Sequence, residues 1–395
     1  MKFTIQTRNY HGFLNNLILF ILLILSFQYV AFFYIENKTL SRLFLYVFYG
    51  IAFILPAILM YRRKTNQNNY RDFFLISLFP ITILTLTNFS EDIPQTVASI
   101  SIYIQILSAF FFTRFDIDYI EKSFIQLAIL SIIAATYIIF KTDIDVASAI
   151  KRGYQYTEIF YFPSLFWGVT PFVILSILRN KNLLISTAYW AVSIALNLII
   201  IKRFIIIDSA LLLIIIITIN LLRKGKIKTF SKTFVIGIIF ISLGLIYAGD
   251  ILLNLLENVT TRIRITSEDL SSFDRLVESK NYLNSTNLFF LIFGKGVGGT
   301  HTGLDTISQA LHIGWINFIL KGGIILLILI LIPYFKMIRI AKYLKNTPIK
   351  IQFSFWFLLI SIFRLSYNNM HSLAPEMLIF FYCIFTIMDY KYIKK

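Results

Sequence analysis

Apolar residues fall along the chain in long runs of about twenty positions, separated by short polar stretches. Because about 20 helical residues cross a ~30 Å hydrocarbon core, each run predicts a membrane-spanning helix. The β-branched residues in these runs fit a helix, since in lipid every backbone group must bond within its own segment. We predict about twelve spans: Phe13–Ile35, Leu43–Met60, Phe73–Thr87, Val97–Phe112, Ile120–Phe140, Pro163–Leu178, Leu183–Ile201, Phe204–Leu222, Phe234–Ala248, Ile313–Phe335, Ile351–Leu365 and Pro375–Met388.

Composition and charge agree with this pattern. Of the 395 residues, 57% are hydrophobic and only 14% are charged, yet the formal net charge is +17. The basic residues cluster in short loops after the even-numbered spans, as they do in cytoplasmic loops of membrane proteins. This placement excludes nucleic acid as the reason for the charge. It predicts a multi-pass membrane protein with both termini in the cytoplasm.

The spans leave two longer loops on the external side, residues 141–162 and residues 249–312. Residues 1–395 form a single integral membrane domain, and no internal repeat of the kind found in many transporters is visible. We therefore predict an all-α polytopic fold with one large external loop that contains short helices.

A glycine-rich stretch, "FGKGVGGTHTGLDTISQALH", ends the large loop. Its first part matches a dinucleotide-binding fingerprint. Such a fingerprint needs a cytosolic strand–helix unit and an acidic residue about 20 positions further on, and this loop has neither. In an external loop, glycines allow a close backbone approach, and successive N–H groups can bind an anion. The candidate substrate-binding glycines are Gly294, Gly296, Gly298 and Gly299.

Several cations lie where charge is costly. Lys202 and Arg203 separate two apolar spans with almost no loop between them, and Arg364 stands at the outer end of another span. Simple snorkelling to the interface is one interpretation. An anion site at the outer surface is the other, because guanidinium forks match phosphate oxygens. The large loop adds further candidates: Arg262, Arg264 and Arg275.

The segment "SSFDRLVESKNYL" within the large loop has helical periodicity. Phe273, Leu276, Val277 and Leu283 share its apolar face, which we expect to pack against the outer ends of the bundle. Arg275 would then project from this helix.

Histidine chemistry is limited to a few positions. His312, at the entry to the tenth span, is the candidate general base or phosphate contact. His301 falls in the glycine loop, which we expect to be flexible. The sequence has no metal-binding motif, so we predict no metal and no cofactor. The single cysteine, Cys383, excludes a disulfide.

Taken together, these motifs resemble those of bacterial O-antigen polymerases and O-antigen ligases. The resemblance is carried by Arg275, "FFLIFGKGVGG", His312 and "LKGGIILLILIL", and by Arg203 in "IKRFIIIDSALLL". It implies a GT-C-like glycosyltransferase fold, with His312, Arg203 and Arg275 as catalytic residues. Lys202, Arg262, Arg264, Arg364 and the glycines would bind substrate.

The resemblance also implies a reaction. A metal-independent polymerase would join oligosaccharide repeat units, carried on undecaprenyl pyrophosphate, into O-antigen or capsular polysaccharide at the periplasmic face. Its partners would be lipid-linked donor and acceptor, membrane lipids, a chain-length regulator and a flippase. One alternative is an O-antigen ligase that transfers the glycan to lipid A core. Another is a flippase for the same lipid-linked sugars.

Overall fold

The structure is a computed structural model. It describes residues 69–87, 169–179, 274–296, 299–302, 307–308, 311, 313–367 and 375–390, with isolated helical positions at 39–47, 105–129 and 212–219. The described part is mostly helical, in agreement with the predicted fold class. Most of the roughly twelve predicted spans lie wholly or partly outside these residues, so that number stays a prediction.

Seven α-helices are bounded in this part of the chain. They are α1 (Asn69–Thr87), α2 (Val169–Arg179), α3 (Asp274–Ser285), α4 (Leu288–Phe293), α5 (Gly314–Ala341), α6 (Ile349–Tyr367) and α7 (Pro375–Asp389). A 3-10 turn, Leu344–Asn346, joins α5 to α6. Two short antiparallel strands, β1 (His301–Thr302) and β2 (Ile307–Ser308), pair His301 with Ser308 and Thr302 with Ile307.

Helices α1, α6 and α7 fall on three of the predicted spans, and α2 overlaps the second part of a fourth. Among the described helices, Gly314–Ala341 and Ile349–Ser366 are long and apolar enough to cross a membrane. Pro80 lies inside α1.

Helix α5 is folded back on itself at Gly323. This residue has φ 68° and ψ −172°, a region that only glycine populates readily. The rings of Trp315 and Tyr334 are 5.9 Å apart, although a straight helix would separate them by about 28 Å. The predicted tenth span, Ile313–Phe335, is therefore broken by a sharp turn into two arms, residues 314–322 and residues 324–341, which we call the α5 hairpin.

The chain divides into two compact units. The unit that contains α1 and α3–α7 has an aromatic core, where the Phe74 ring meets the Phe381 and Phe385 rings edge-on at 5.9 and 5.2 Å. Helix α7 is buried from Met377 to Ile387. The Leu378 N–H donates to the Gln105 side-chain carbonyl at 2.9 Å.

The other unit contains α2. Arg179, at the end of α2, forms ion pairs with Asp118 and with Glu121, the latter at 2.6 Å. A cation at a helix C-terminus also interacts favourably with the helix dipole. This cluster anchors the end of α2.

Candidate functional site

The glycine loop begins where α4 ends. The Asn287 side chain accepts the Phe290 N–H at 2.9 Å and caps the start of this short helix. Gly294 ends it, with φ 79° and its N–H donating to the Phe290 carbonyl at 2.8 Å. Gly296 also has positive φ, 78°. Both positions therefore favour glycine for backbone reasons alone.

Because these glycines have no β-carbon, other backbone segments of the protein can pack directly against them. A β-carbon on Gly294 would lie 2.5 Å from the Gly322 nitrogen, and one on Gly296 would lie 2.5 Å from the Thr85 nitrogen. Gly299 is closed in the same way by the Lys295 side chain at 2.3 Å. The loop is thus fixed between α1 and the α5 hairpin. That these glycines also bind substrate stays a prediction.

The tip of the α5 hairpin is the second half of this contact. A β-carbon on Gly323 would lie 1.9 Å from the Ile292 carbonyl oxygen. Because the helix breaks at Gly323, the Leu320 carbonyl is released from its helical partner and accepts the Lys295 N–H at 2.7 Å. The two glycine motifs in the sequence, "GKGVGG" and "KGG", are therefore structural partners.

Two lysines lie at this contact. Lys321, one residue before the Gly322–Gly323 pair, is only 5% exposed. The Lys295 ammonium donates to the Thr300 carbonyl at 3.0 Å and lies 5.7 Å from the centre of the Tyr282 ring. Partial burial lowers the pKa of Lys295 below its usual value. Sequence reasoning missed both lysines, although a lysine inside "INFILKGGIILL" was a visible signal.

An acid–histidine pair lies beneath the loop. Glu278 of α3 and His301 of β1 are both buried, with their carboxylate and imidazole 3.6 Å apart. The Tyr282 ring stands edge-on to the imidazole at 6.1 Å, and burial raises the pKa of its phenol. His301 was expected in a flexible loop, and that expectation is wrong. No local signal pairs these residues, because the contact depends on the tertiary fold.

Arg364 lies in the last turn of α6 and is 7% exposed. Two residues further on, the Ser366 hydroxyl accepts the Trp315 indole N–H at 3.2 Å. This end of α6 therefore lies beside the start of the first hairpin arm. Along that arm, Trp315 and Lys321 are about 9 Å apart.

The start of the first arm is held by a buried amide. The Asn317 side-chain oxygen accepts the Leu311 N–H at 3.1 Å, and Asn317, Leu311 and Ile313 are all buried. Residues on both sides of position 312 are thus packed inside the protein.

Of the other predicted site residues, one lies on a described helix and six do not. Arg275 lies on α3, on the same helix as Glu278 and Tyr282. Six predicted residues lie outside the described part of the chain: Lys202, Arg203, Arg262, Arg264, Gly298 and His312. Their assignments stay predictions.

Comparisons with known proteins gave no match. No protein-family model, no curated protein and no solved structure is similar to this chain. The function is therefore argued from the residues and the geometry.

Proposed function

We propose that the chain is a multi-pass membrane glycosyltransferase of the bacterial inner membrane that polymerises lipid-linked oligosaccharides. Its donor is a glycan on undecaprenyl pyrophosphate, and its acceptor is a sugar hydroxyl of a second lipid-linked repeat unit. About twelve spans hold the loops at residues 141–162 and 249–312 on the periplasmic side, with both termini in the cytoplasm.

The observation that carries the proposal is a pair of buried cations in apolar helices, one of which, Lys321, lies beside the fixed glycine loop. Lys321 lies in the apolar first arm of the α5 hairpin and Arg364 lies in the long apolar helix α6, and both are buried. Ionised groups at such positions are costly, and they are typical of substrate or ion sites in membrane proteins. The resemblance to O-antigen polymerases rests on the same loop and on the segment of α5 that contains Lys321.

The chemistry is a displacement at an anomeric carbon. The acceptor hydroxyl oxygen forms the new bond to that carbon, and the bond from the carbon to the donor phosphate oxygen breaks. The electron pair leaves with undecaprenyl pyrophosphate, and the hydroxyl proton passes to a base, for which His312 is the candidate. Arg203, Arg275 and Arg364 stabilise the charge that grows on the leaving diphosphate, so the proposal assigns that role to protein cations.

The catalytic arginines can be tested in cells. Arg203→Ala and Arg275→Ala are each expected to abolish long-chain polysaccharide, because removing one donor to the developing charge typically lowers kcat by about 10²–10³-fold. A gel of surface glycan measures the ladder, and an immunoblot of the membrane fraction checks that protein levels are unchanged. Normal ladders in both variants would contradict the assignment of these two residues.

A further inference from the structure

Helix α3 turns its two leucines away from the protein. Leu276 and Leu283 are exposed, whereas Glu278, Ser279 and Tyr282 are buried. The sequence predicted the opposite, with the leucine face packed against the bundle. The reason is that Glu278 and Tyr282 pack around His301, which commits the polar side of the helix to the protein interior.

The exposed side of α3 carries a stripe of two leucines and a lysine. Leu276, Lys280 and Leu283 are spaced by four and three residues, so they share one face of the helix. All three are exposed, and the lysine lies between the two leucines. Such a stripe of apolar residues with a lysine within it is typical of helices that lie in a membrane–water boundary.

Helix α4 also exposes large apolar side chains. Leu288 is 71% exposed and Phe289 is 54% exposed. We call Leu276, Leu283, Leu288 and Phe289 the α3–α4 apolar surface. The end of α4 packs on the hairpin tip, because Ile292 meets Gly323 there.

The hairpin residues that follow Gly323 expose apolar side chains as well. Ile324, Ile325 and Ile328, at the start of the second arm, are also exposed. They belong to the second arm, which supplies 18 of the 28 residues of the candidate span Gly314–Ala341. The α3–α4 apolar surface thus adjoins the outward side of a candidate span.

We propose that the α3–α4 apolar surface is inserted into the headgroup–acyl boundary of the bilayer that the second hairpin arm crosses. Leu288 and Phe289 reach the acyl chains, and the Lys280 ammonium contacts anionic lipid phosphates. If this surface packed against the same surface of a second copy, the Lys280 ammonium groups of the two copies would lie in one apolar contact. A lipid boundary instead accommodates both the leucines and the lysine. The inference rests on membrane insertion of the second arm and is independent of the glycan chemistry.

This placement has a consequence for the glycine loop. Because α4 leads directly into Gly294, a lipid-anchored α4 holds the loop close to the membrane surface. A diphosphate linked to a membrane lipid lies at the same depth. The surface would therefore position the loop in the layer where such a headgroup is found.

Spin-label accessibility tests the inference on the full-length protein. Leu283→Cys, Leu288→Cys and Phe289→Cys are prepared with Cys383→Ala, labelled, and placed in nanodiscs of phosphatidylethanolamine and phosphatidylglycerol. Asn281→Cys is the matched control, because Asn281 is an exposed polar residue on another side of α3. We expect oxygen collision rates several-fold higher, and nickel-chelate collision rates several-fold lower, at the three apolar positions than at position 281.

Two outcomes would overturn the proposal. Equal nickel access at all four positions would place the surface in water. Exclusion of both reagents at the apolar positions would mean that protein covers it. For the lipid charge, Lys280→Glu should raise nickel access at position 283 in discs with phosphatidylglycerol but not in discs of phosphatidylcholine alone. The same response in both discs would remove the anionic headgroup from the proposal.

Discussion

Gly323→Ala is expected to open the α5 hairpin and to destabilise the protein by about 2–6 kcal/mol. An alanine at φ 68° and ψ −172° costs about 1–3 kcal/mol of backbone strain. Its β-carbon would also lie 1.9 Å from the Ile292 carbonyl oxygen. Because that oxygen belongs to backbone, α4 must separate from the hairpin, at a further cost of about 1–3 kcal/mol typical of overpacking.

The measurement combines stability with a direct distance readout. Thermal unfolding in detergent reports the loss of stability. In a Cys383→Ala background, Trp315 and Tyr334 are both replaced by cysteine. A short bismaleimide can then cross-link the two cysteines only when the hairpin is formed. These positions meet in the hairpin and would be about 28 Å apart in a straight helix. The cross-link is expected to form efficiently with Gly323 and to be lost with Gly323→Ala.

Ile324→Ala is the matched control, since it alters the next residue of the same helix at an exposed position. It should leave both the unfolding temperature and the cross-link nearly unchanged. A Gly323→Ala protein that unfolds and cross-links like the parent would show that the reversal at this position is not needed for folding.

Arg364→Ala is expected to reduce polysaccharide synthesis by about 10²–10³-fold, the loss typical when one donor to a developing oxyanion is removed. Arg364 is buried at the end of α6, where a guanidinium can contribute two parallel hydrogen bonds to a diphosphate. Arg364→Lys should restore little of the rate, because a lysine lacks the planar fork. The readout is the surface glycan ladder together with the amount of folded protein.

Arg339→Ala provides the control for Arg364. Arg339 lies in the last turn of α5 and is exposed, so its removal takes away one cation without disturbing a buried site. This variant should produce a normal ladder. If Arg364→Ala also gives a normal ladder at equal protein levels, Arg364 has no part in holding substrate.

Hydropathy predicted the helices because it is a local property. The eleventh and twelfth predicted spans, Ile351–Leu365 and Pro375–Met388, differ from α6 and α7 by at most two residues at each end. The hairpin was not predicted, because residues 313–335 are apolar on both sides of the reversal. Its local signal was Gly322–Gly323 after a lysine, which does not by itself distinguish a kink from a reversal.

The site was predicted less completely than the fold. Glycines at 294 and 296 were identified as necessary, but their partner was taken to be a ligand, whereas the structure places backbone of α5 and α1 against them. The pairing of Glu278 with His301 and the burial of Lys321 depend on which elements meet in space. Amphipathic pattern alone also misassigned the buried face of α3, because an apolar face can meet lipid as well as protein.

The most direct test of the proposed polymerase is the surface glycan of a strain that lacks the encoding gene. The account predicts that each glycan is cut to a single repeat unit, because units are still exported and attached but no longer joined. Complete loss of attached glycan would favour a ligase instead. A ladder of normal length in the deletion strain would contradict any role of this protein in polymerisation.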